Sequence, residues 1–116
     1  MSKQYDLEER SFQFAKNVSL YIKNFSRTIS NTEYGKQVVR ASGFVGANYI
    51  EANEALSKKD FIMRIKICRK EAKESAYWLR LIVETNSGKY TEDGKKLFNE
   101  AIEFKKIFSS IIEKSK

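Results

Sequence analysis

The most constraining feature of the sequence is an apolar repeat through its middle, with a period of about 3.5 residues. Apolar or small side chains return at steps of three and four, at Val38, Ser42, Val45, Tyr49, Ala52 and Leu56. After a short break the spacing resumes at Phe61, Ile65, Cys68, Ala72, Ser75, Leu79 and Ile82. This spacing keeps one stripe of a helix facing a partner helix. The stretch therefore predicts two long helices joined by a tight hinge at Leu56 to Lys58.

Four segments begin with a residue that can cap a helix, followed by carboxylates in the first turn. These are Asp6 with Glu9, Ser30 with Glu33, Ser57 with Asp60, and Thr91 with Glu92 and Asp93. A side-chain oxygen there accepts bonds from free N–H groups, and negative charge suits a helix N-terminus. We therefore expect four helices, the first over about Leu7 to Phe25 and the fourth over about Glu92 to Glu113. Gly88 is the expected left-handed residue of the last connection.

The outer helices also carry apolar stripes that can cover the hairpin. Their inward residues are predicted to be Leu7, Phe14, Val18, Tyr21, Ile22 and Phe25 in the first helix, and Leu97, Ala101, Phe104, Phe108 and Ile111 in the fourth. A chain of 116 residues has the size of one domain. The predicted fold is all-α, an up-down-up-down antiparallel four-helix bundle over residues 1–116.

The composition restricts the cellular compartment that we expect and the reactions that the side chains could catalyse. No apolar stretch is long enough to cross a membrane, and the N-terminus lacks the apolar segment of a secretory signal. The only cysteine, Cys68, lies on the core stripe, and a buried, inert thiol fits a reducing cytoplasm. The absence of histidine weakens general-base and zinc proposals. We expect a cytoplasmic protein with no membrane contact, no cofactor and no metal.

Two stretches carry more apolar or small side chains than the core of a single bundle needs. The segment from Ser75 to Val83 is apolar nearly all round, which favours cover from another subunit, although Trp78 could instead cap its own bundle. Gly43 and Gly46 form a patch of small residues that lets a helix approach closely, from the same chain or from another copy. The predicted interface of a ring-like homo-oligomer comprises Arg40, Gly43, Gly46, Asn48, Glu51, Tyr77, Trp78 and Leu81.

The formal net charge of +7 favours anionic partners. Much of the basic character is concentrated at the start of the third helix, in Lys58, Lys59, Arg64, Lys66, Arg69, Lys70 and Lys73. Phosphates spaced along a nucleic acid would meet such a stripe, so these residues are the candidate nucleic-acid-binding set. The alternative is an ordinary solvated face on which Lys70 pairs with Glu74.

Paired glutamates offer a rival function. Glu51 with Glu54, and Glu71 with Glu74, each lie on one face of adjacent helices, and four such carboxylates could hold Mg²⁺ in a nucleotide hydrolase. Ion pairs with Arg40, Arg69 or Lys73 are the competing explanation. No serine or cysteine has a visible base, and no glycine-rich phosphate loop follows a strand. We therefore expect a protein that is not an enzyme and has no catalytic residue.

Several motifs resemble one family. RAS at 40–42, GANYIEA at 46–52, KKDF at 58–61 and CRKEAKESAYWL at 68–79 are similar to the four-helix-bundle proteins encoded in 23S ribosomal RNA intervening sequences. The resemblance implies a homopentamer of up-down bundles. It also extends to the accessory variability determinant of diversity-generating retroelements, a basic pentameric bundle that binds a reverse transcriptase and nucleic acid.

The combined prediction is a non-enzymatic oligomeric scaffold that contacts RNA or a nucleic-acid-handling protein through the basic face of its third helix. A magnesium-dependent nucleotide hydrolase and a purely structural module remain open as alternatives.

Overall fold

Four antiparallel helices form an up-down-up-down bundle in the computed structural model, which describes residues 3–116 and the side chains from Leu7 onward. The helices are α1 (Lys3–Ile22), α2 (Ile29–Asn53), α3 (Lys58–Thr85) and α4 (Thr91–Lys114). Each packs against its neighbours in chain order, and α4 returns to α1 through the sparsest contact of the four. Across residues 3–116, no helix combines the length and apolarity that a membrane crossing requires.

The apolar repeat forms the centre of the bundle, as the sequence predicts. From α2 and α3, Val38, Val45, Ile65, Cys68, Ala72 and Leu79 are all at most 1% exposed. The outer helices cover this hairpin with aromatic rings, and the Phe14 and Phe104 centroids lie 5.4 Å apart. The exception on the predicted stripe is Leu56, which is 98% exposed. Because α2 ends at Asn53, Leu56 lies in the connection and the helical spacing no longer orients it inward.

The helix starts correct two of the predicted caps. Ser57 caps α3 as predicted, since its Oγ accepts a bond from the Asp60 N–H at 3.0 Å. The cap of α2 is Thr28 rather than Ser30; its Oγ1 accepts from the Asn31 N–H at 3.0 Å. Thr91 does not cap α4, because it is the first helical residue and its hydroxyl instead donates to the Gly88 carbonyl at 2.9 Å.

The remaining helix boundaries differ from the prediction in smaller ways. α1 begins at Lys3, so Asp6 lies inside the helix, and its side chain falls outside the described residues. α1 also ends at Ile22, and Phe25 belongs to the following turn, where it packs edge-on against Tyr21 at 4.9 Å. Gly88 has a φ of 124°, which confirms the left-handed turn before α4.

Small side chains allow α1 and α2 to approach closely. A Cβ on Gly46 would lie 2.9 Å from Ser11 Oγ, so the α1 chain occupies the space that a larger residue would need. Ser11 itself is 1% exposed, and its hydroxyl donates to the Glu8 carbonyl at 3.1 Å. The Ser42 and Ser75 hydroxyls likewise donate to carbonyls of their own helices. These three buried serine hydroxyls are thereby satisfied without partners on other helices.

Candidate nucleic-acid interface

An exposed stripe of lysines runs along the outer face of α3. Residues 65, 68 and 72 face the core, and a period of about 3.6 residues places Lys59, Lys66, Lys70 and Lys73 on the opposite side of the helix. All four side chains are exposed. These four lysines and Lys58, which is exposed at the first position of α3, are hereafter the basic stripe. The common orientation of the four follows directly from burial of the hydrophobic face.

The two arginines of the predicted set lie differently. Arg64 and Arg69 are only partly exposed. Arg64 turns toward α2, where its Nη1 donates to Asn48 Oδ1 at 3.1 Å. This bond links α2 to α3 above the buried thiol of Cys68, which contacts the Val45 carbonyl oxygen at 3.4 Å. The structure therefore places four of the lysines on one face, with Lys58 at the start of the helix, and leaves both arginines off that face.

The positive charge of the stripe is not neutralised by nearby carboxylates. Within residues 7–116, none of the five lysines forms a salt bridge, so Lys70 and Glu74, neighbours on a solvated face in the alternative interpretation, are not paired. Charges without counterions on a convex helix are available to an external anion. The stripe can therefore contact several phosphates at once.

Tyr77, which the sequence predicts to lie in a subunit interface, is also a candidate contact for nucleic acid. It follows Lys73 by four residues on the same face and is 60% exposed, with its ring edge-on to Trp78 at 5.1 Å. An exposed aromatic ring next to cations can stack on a nucleic-acid base. The spacing of Lys66, Lys70, Lys73 and Tyr77 carries this signal, because steps of three and four keep side chains on one face.

A second exposed surface lies on the outside of α2. It consists of Val39, Gly43, Phe44, Ala47 and Ile50, and is hereafter the α2 apolar face. Val39, Phe44 and Ile50 are 42%, 41% and 46% exposed, and a Cβ on Gly43 would meet no atom within 4 Å. The guanidinium of Arg40 lies over the Phe44 ring, 4.9 Å from its centroid. The second helix therefore presents apolar surface both inward and outward.

The residues predicted for a subunit interface are divided among different environments. Gly43 belongs to the α2 apolar face, and Arg40 and Glu51 are exposed beside it. Gly46 packs on Ser11 and Asn48 accepts the bond from Arg64, so both make contacts within the chain. Leu81 and Trp78 are partly buried, and the Trp78 ring lies 5.9 Å from Tyr34 of α2.

The glutamates do not assemble into a metal site. In the antiparallel pair of α2 and α3, Asn48 lies opposite Arg64 and Val45 lies opposite Cys68. The position of α3 opposite Glu51 is therefore about ten residues before Glu71, a separation of roughly 15 Å along the hairpin. Among the described residues no group of three or more Asp, Glu, Cys or His side chains converges. The donor set required for the magnesium hydrolase is therefore not brought together.

Among residues 7–116, Glu71 is the one buried carboxylate, at 4% exposure. Burial raises its pKa, and the neighbouring Glu74 raises it further, while Arg40 and Lys70 partly oppose the change. Its Oε1 has no hydrogen-bond partner among the described residues. Burial also raises the pKa of the Cys68 thiol to about 12, which keeps it protonated and unreactive.

These features define a class: a basic four-helix bundle with a lysine stripe on one helix and an apolar face on the preceding one. Residues 3–110 match the family described as 23S rRNA-intervening sequence protein. The chain belongs to this family, which confirms the resemblance drawn from its motifs.

A solved structure shares the fold over nearly its full length. It is the crystal structure of a protein of unknown function from the S23 ribosomal protein family of Bacteroides thetaiotaomicron VPI-5482. The two sequences are 31% identical, the match covers 97% of this chain and 99% of the other, and the TM-score is 0.84. No curated protein matches the chain significantly.

Proposed function

We propose that this protein is a non-enzymatic, oligomeric RNA-binding scaffold whose basic stripe on α3 contacts the phosphate backbone. The single observation that carries the proposal is the alignment of four exposed lysines, at positions 59, 66, 70 and 73, without salt bridges among the described residues. The family name, with its reference to 23S rRNA, makes RNA the anionic polymer of first interest. Tyr77 extends the stripe with a ring on which an unpaired base can stack.

RNA binding through the stripe is electrostatic and therefore depends on salt. Four phosphate contacts to single-stranded RNA predict a loss of affinity of roughly 50-fold between 50 and 200 mM salt. Fluorescence anisotropy with a labelled single-stranded RNA measures this directly. The triple change Lys66→Glu, Lys70→Glu and Lys73→Glu is expected to abolish binding, because it reverses the charge where the phosphates lie.

A matched control separates the stripe from net charge. Lys95→Glu, Lys96→Glu and Lys114→Glu make the same change in total charge at exposed positions of α4. This control is expected to retain most of the affinity. An equal loss in the two triple variants, or binding that does not respond to salt, would contradict a contact through α3.

The scaffold part of the proposal concerns a second copy of the chain. The α2 apolar face combines three exposed apolar side chains with the open space at Gly43, which allows close approach of another helix. Arg40 and Glu51 flank it with opposite charges, which suits a neighbour with the same surface chemistry. We propose that this face is covered in a homopentamer, the assembly that the family resemblance implies.

Light scattering after size-exclusion chromatography tests the assembly. A pentamer of the 13.5 kDa chain has a mass of roughly 67 kDa. Ile50→Lys places a charge in the α2 apolar face and is expected to shift the mass toward one chain. Leu20→Lys is the control, since Leu20 is similarly exposed, at 50%, but lies on α1. A wild-type mass of one chain at tens of micromolar would refute the assembly.

A further inference from the structure

An open cleft lies at the corner where α1 turns into α2, away from the basic stripe. It has a volume of about 680 Å³, within the range of roughly 300–1,000 Å³ typical of small-molecule sites. Apolar side chains form its floor: Ile22, Phe25 and Val39, together with Ile82 of α3. Ile82 is 1% exposed, so the cleft reaches down to the bundle core.

Cations surround this apolar floor. Lys23, Arg27, Lys36 and Arg40 line the cleft, and its lining contains no aspartate or glutamate. All four side chains are exposed, and none forms a salt bridge within residues 7–116. The cleft also includes Asn31 and Thr32 from the first turn of α2, where the helix dipole adds partial positive charge. The site thus selects for several negative charges held close together.

The floor and the rim together restrict the chemistry of the ligand. A long polyanion needs an extended track of charge, as on α3, whereas this open cleft is confined to the end of α1, the α1–α2 linker, the first part of α2 and Ile82 of α3. The ring of Phe25 belongs to the floor, and its edge-on contacts with Tyr21 and Tyr90, at 4.9 and 5.9 Å, fix its position. A fixed aromatic ring beside cations suits a flat apolar group attached to phosphates.

We propose that the cleft binds a free nucleoside triphosphate. The phosphates lie among Lys23, Arg27 and Lys36, and the base rests on Phe25 and Ile22. Val39 borders both the cleft and the α2 apolar face, so the base is kept on the linker side of the cleft. Arg40, which stacks on Phe44, reaches the cleft from the adjacent turn of α2. The site is separate from the RNA contact of the proposed function, since no residue of the basic stripe lines it.

The test uses the full chain and a fluorescent ATP analogue with a methylanthraniloyl ribose. Saturable binding at low salt is expected, with displacement by unlabelled ATP. Inorganic tripolyphosphate is expected to compete at least about tenfold more weakly, because it lacks the apolar group that covers the floor. Absence of saturable binding overturns the site. Equal competition by tripolyphosphate overturns the role of the floor.

Amino-acid substitutions test whether the nucleotide binds in the cleft. Lys23→Glu with Lys36→Glu is expected to weaken binding by at least about tenfold, through loss of charge-assisted bonds to phosphate. The control Lys95→Glu with Lys96→Glu makes the same change in charge on α4 and is expected to stay within about twofold. Thr32→Trp narrows the cleft without altering charge and without touching the α2 apolar face, and it is also expected to abolish binding. Since Thr32 is exposed, the fold accommodates this change, and circular dichroism verifies it.

A further double variant distinguishes the nucleotide site in the cleft from the RNA contact on α3. Lys66→Glu with Lys70→Glu is expected to remove RNA binding and leave nucleotide binding intact. Loss of nucleotide binding in this variant, or full displacement of the analogue by an RNA with a 5′-hydroxyl end, would place the ligand on the stripe and refute the cleft. Loss of RNA binding alone supports two independent sites.

Discussion

At the scale of single residues, two glycines in helices serve opposite purposes. Gly94 is buried in the first turns of α4, and a Cβ there would overlap the Tyr21 hydroxyl and Val83 Cγ2. The hydroxyl has no hydrogen-bond partner among the described residues, and burial raises the pKa of Tyr21 to about 12. Gly43, by contrast, borders open space. The first glycine makes room for a core side chain, and the second leaves room outside the chain.

Substitution by alanine should therefore act with opposite sign at these positions. Gly94→Ala is expected to lower the free energy of unfolding by about 1–3 kcal/mol, because the added methyl group overpacks the site. In the Ile50→Lys background, which is expected to separate the copies, Gly43→Ala is expected to raise it by up to about 1 kcal/mol, through better helix propensity. Urea unfolding measures both. Similar losses in the two variants would show that the Tyr21 contact does not set the requirement for glycine.

Glu71 gives the stability a dependence on pH. Its pKa is raised in the folded state, chiefly by burial, so the native chain holds this proton more tightly than the unfolded chain. Stability from this group is then present below the ordinary value of 4.5 and is lost as pH rises through the folded pKa.

Glu71→Gln removes that loss, and it is expected to raise the free energy of unfolding at pH 7 by about 1 kcal/mol, the usual magnitude for one unsatisfied buried group. The gain should vanish near pH 3.5, where the wild-type carboxyl is protonated as well. Glu54→Gln, at an exposed position, is the control and should change little at either pH. A gain of equal size at both pH values would exclude ionisation as the cause.

At the scale of elements, the helix caps show what local sequence can decide. Ser57 and Thr28 both accept a bond from the N–H three residues later, at 3.0 Å. Ser30 matches the same sequence pattern, with Glu33 three residues on, but it lies inside α2. The chain between α1 and α2 offers several hydroxyls, and the packing of α2 on α1 selects among them.

Cap removal tests this assignment. Thr28→Ala and Ser57→Ala are each expected to lower the free energy of unfolding by about 1 kcal/mol, since each leaves an N–H of the first turn without its partner. Ser30→Ala removes a hydroxyl two residues from Thr28 and should change stability by less than about 0.5 kcal/mol. Thermal unfolding compares the three. A larger loss at Ser30 than at Thr28 would restore the cap expected from the sequence pattern.

The sequence pattern indicates the outer apolar surface of α2 only in part. Apolar residues beyond the core stripe are predicted on the third helix, at Tyr77, Trp78 and Leu81, where Tyr77 is exposed and Tyr34 of α2 covers part of Trp78. The longer exposed apolar run lies at residues 39, 43, 47 and 50. Its spacing of four, four and three was visible in the sequence. Two glycines and an alanine in this region obscured it, because small side chains contribute little to an apolar pattern.

At the scale of the whole molecule, the bundle is closed between its first and last helices. The contact between α1 and α4 is the sparsest of the four, and a salt bridge crosses it. Arg10 donates from Nε and Nη2 to the two carboxylate oxygens of Glu100, both at 2.7 Å. Its guanidinium also lies 5.2 Å from the centroid of Phe104. Such two-point geometry fixes the position of one helix against the other.

Arg10→Ala is accordingly expected to lower the free energy of unfolding by about 1 kcal/mol, through loss of the ion pair and of packing on Phe104. Arg80→Ala removes a salt bridge of similar length, 2.8 Å, between exposed residues of one helix, and it should have little effect. Denaturant unfolding at low and at high salt measures both. A loss no greater for Arg10 than for Arg80 would mean that apolar packing alone closes the bundle.

The sequence by itself determined the four helices and most of the residues that form their core; Leu56, at 98% exposure, is the clearest exception. These follow from a local rule, since a period of about 3.5 residues gives a helix one apolar side wherever it is placed. It also placed the lysines of the stripe opposite that side. Only the tertiary structure decided which surfaces stay open, such as the α2 apolar face and the cleft beside Phe25. Exposure depends on what the other helices cover, and residues distant in sequence set that jointly.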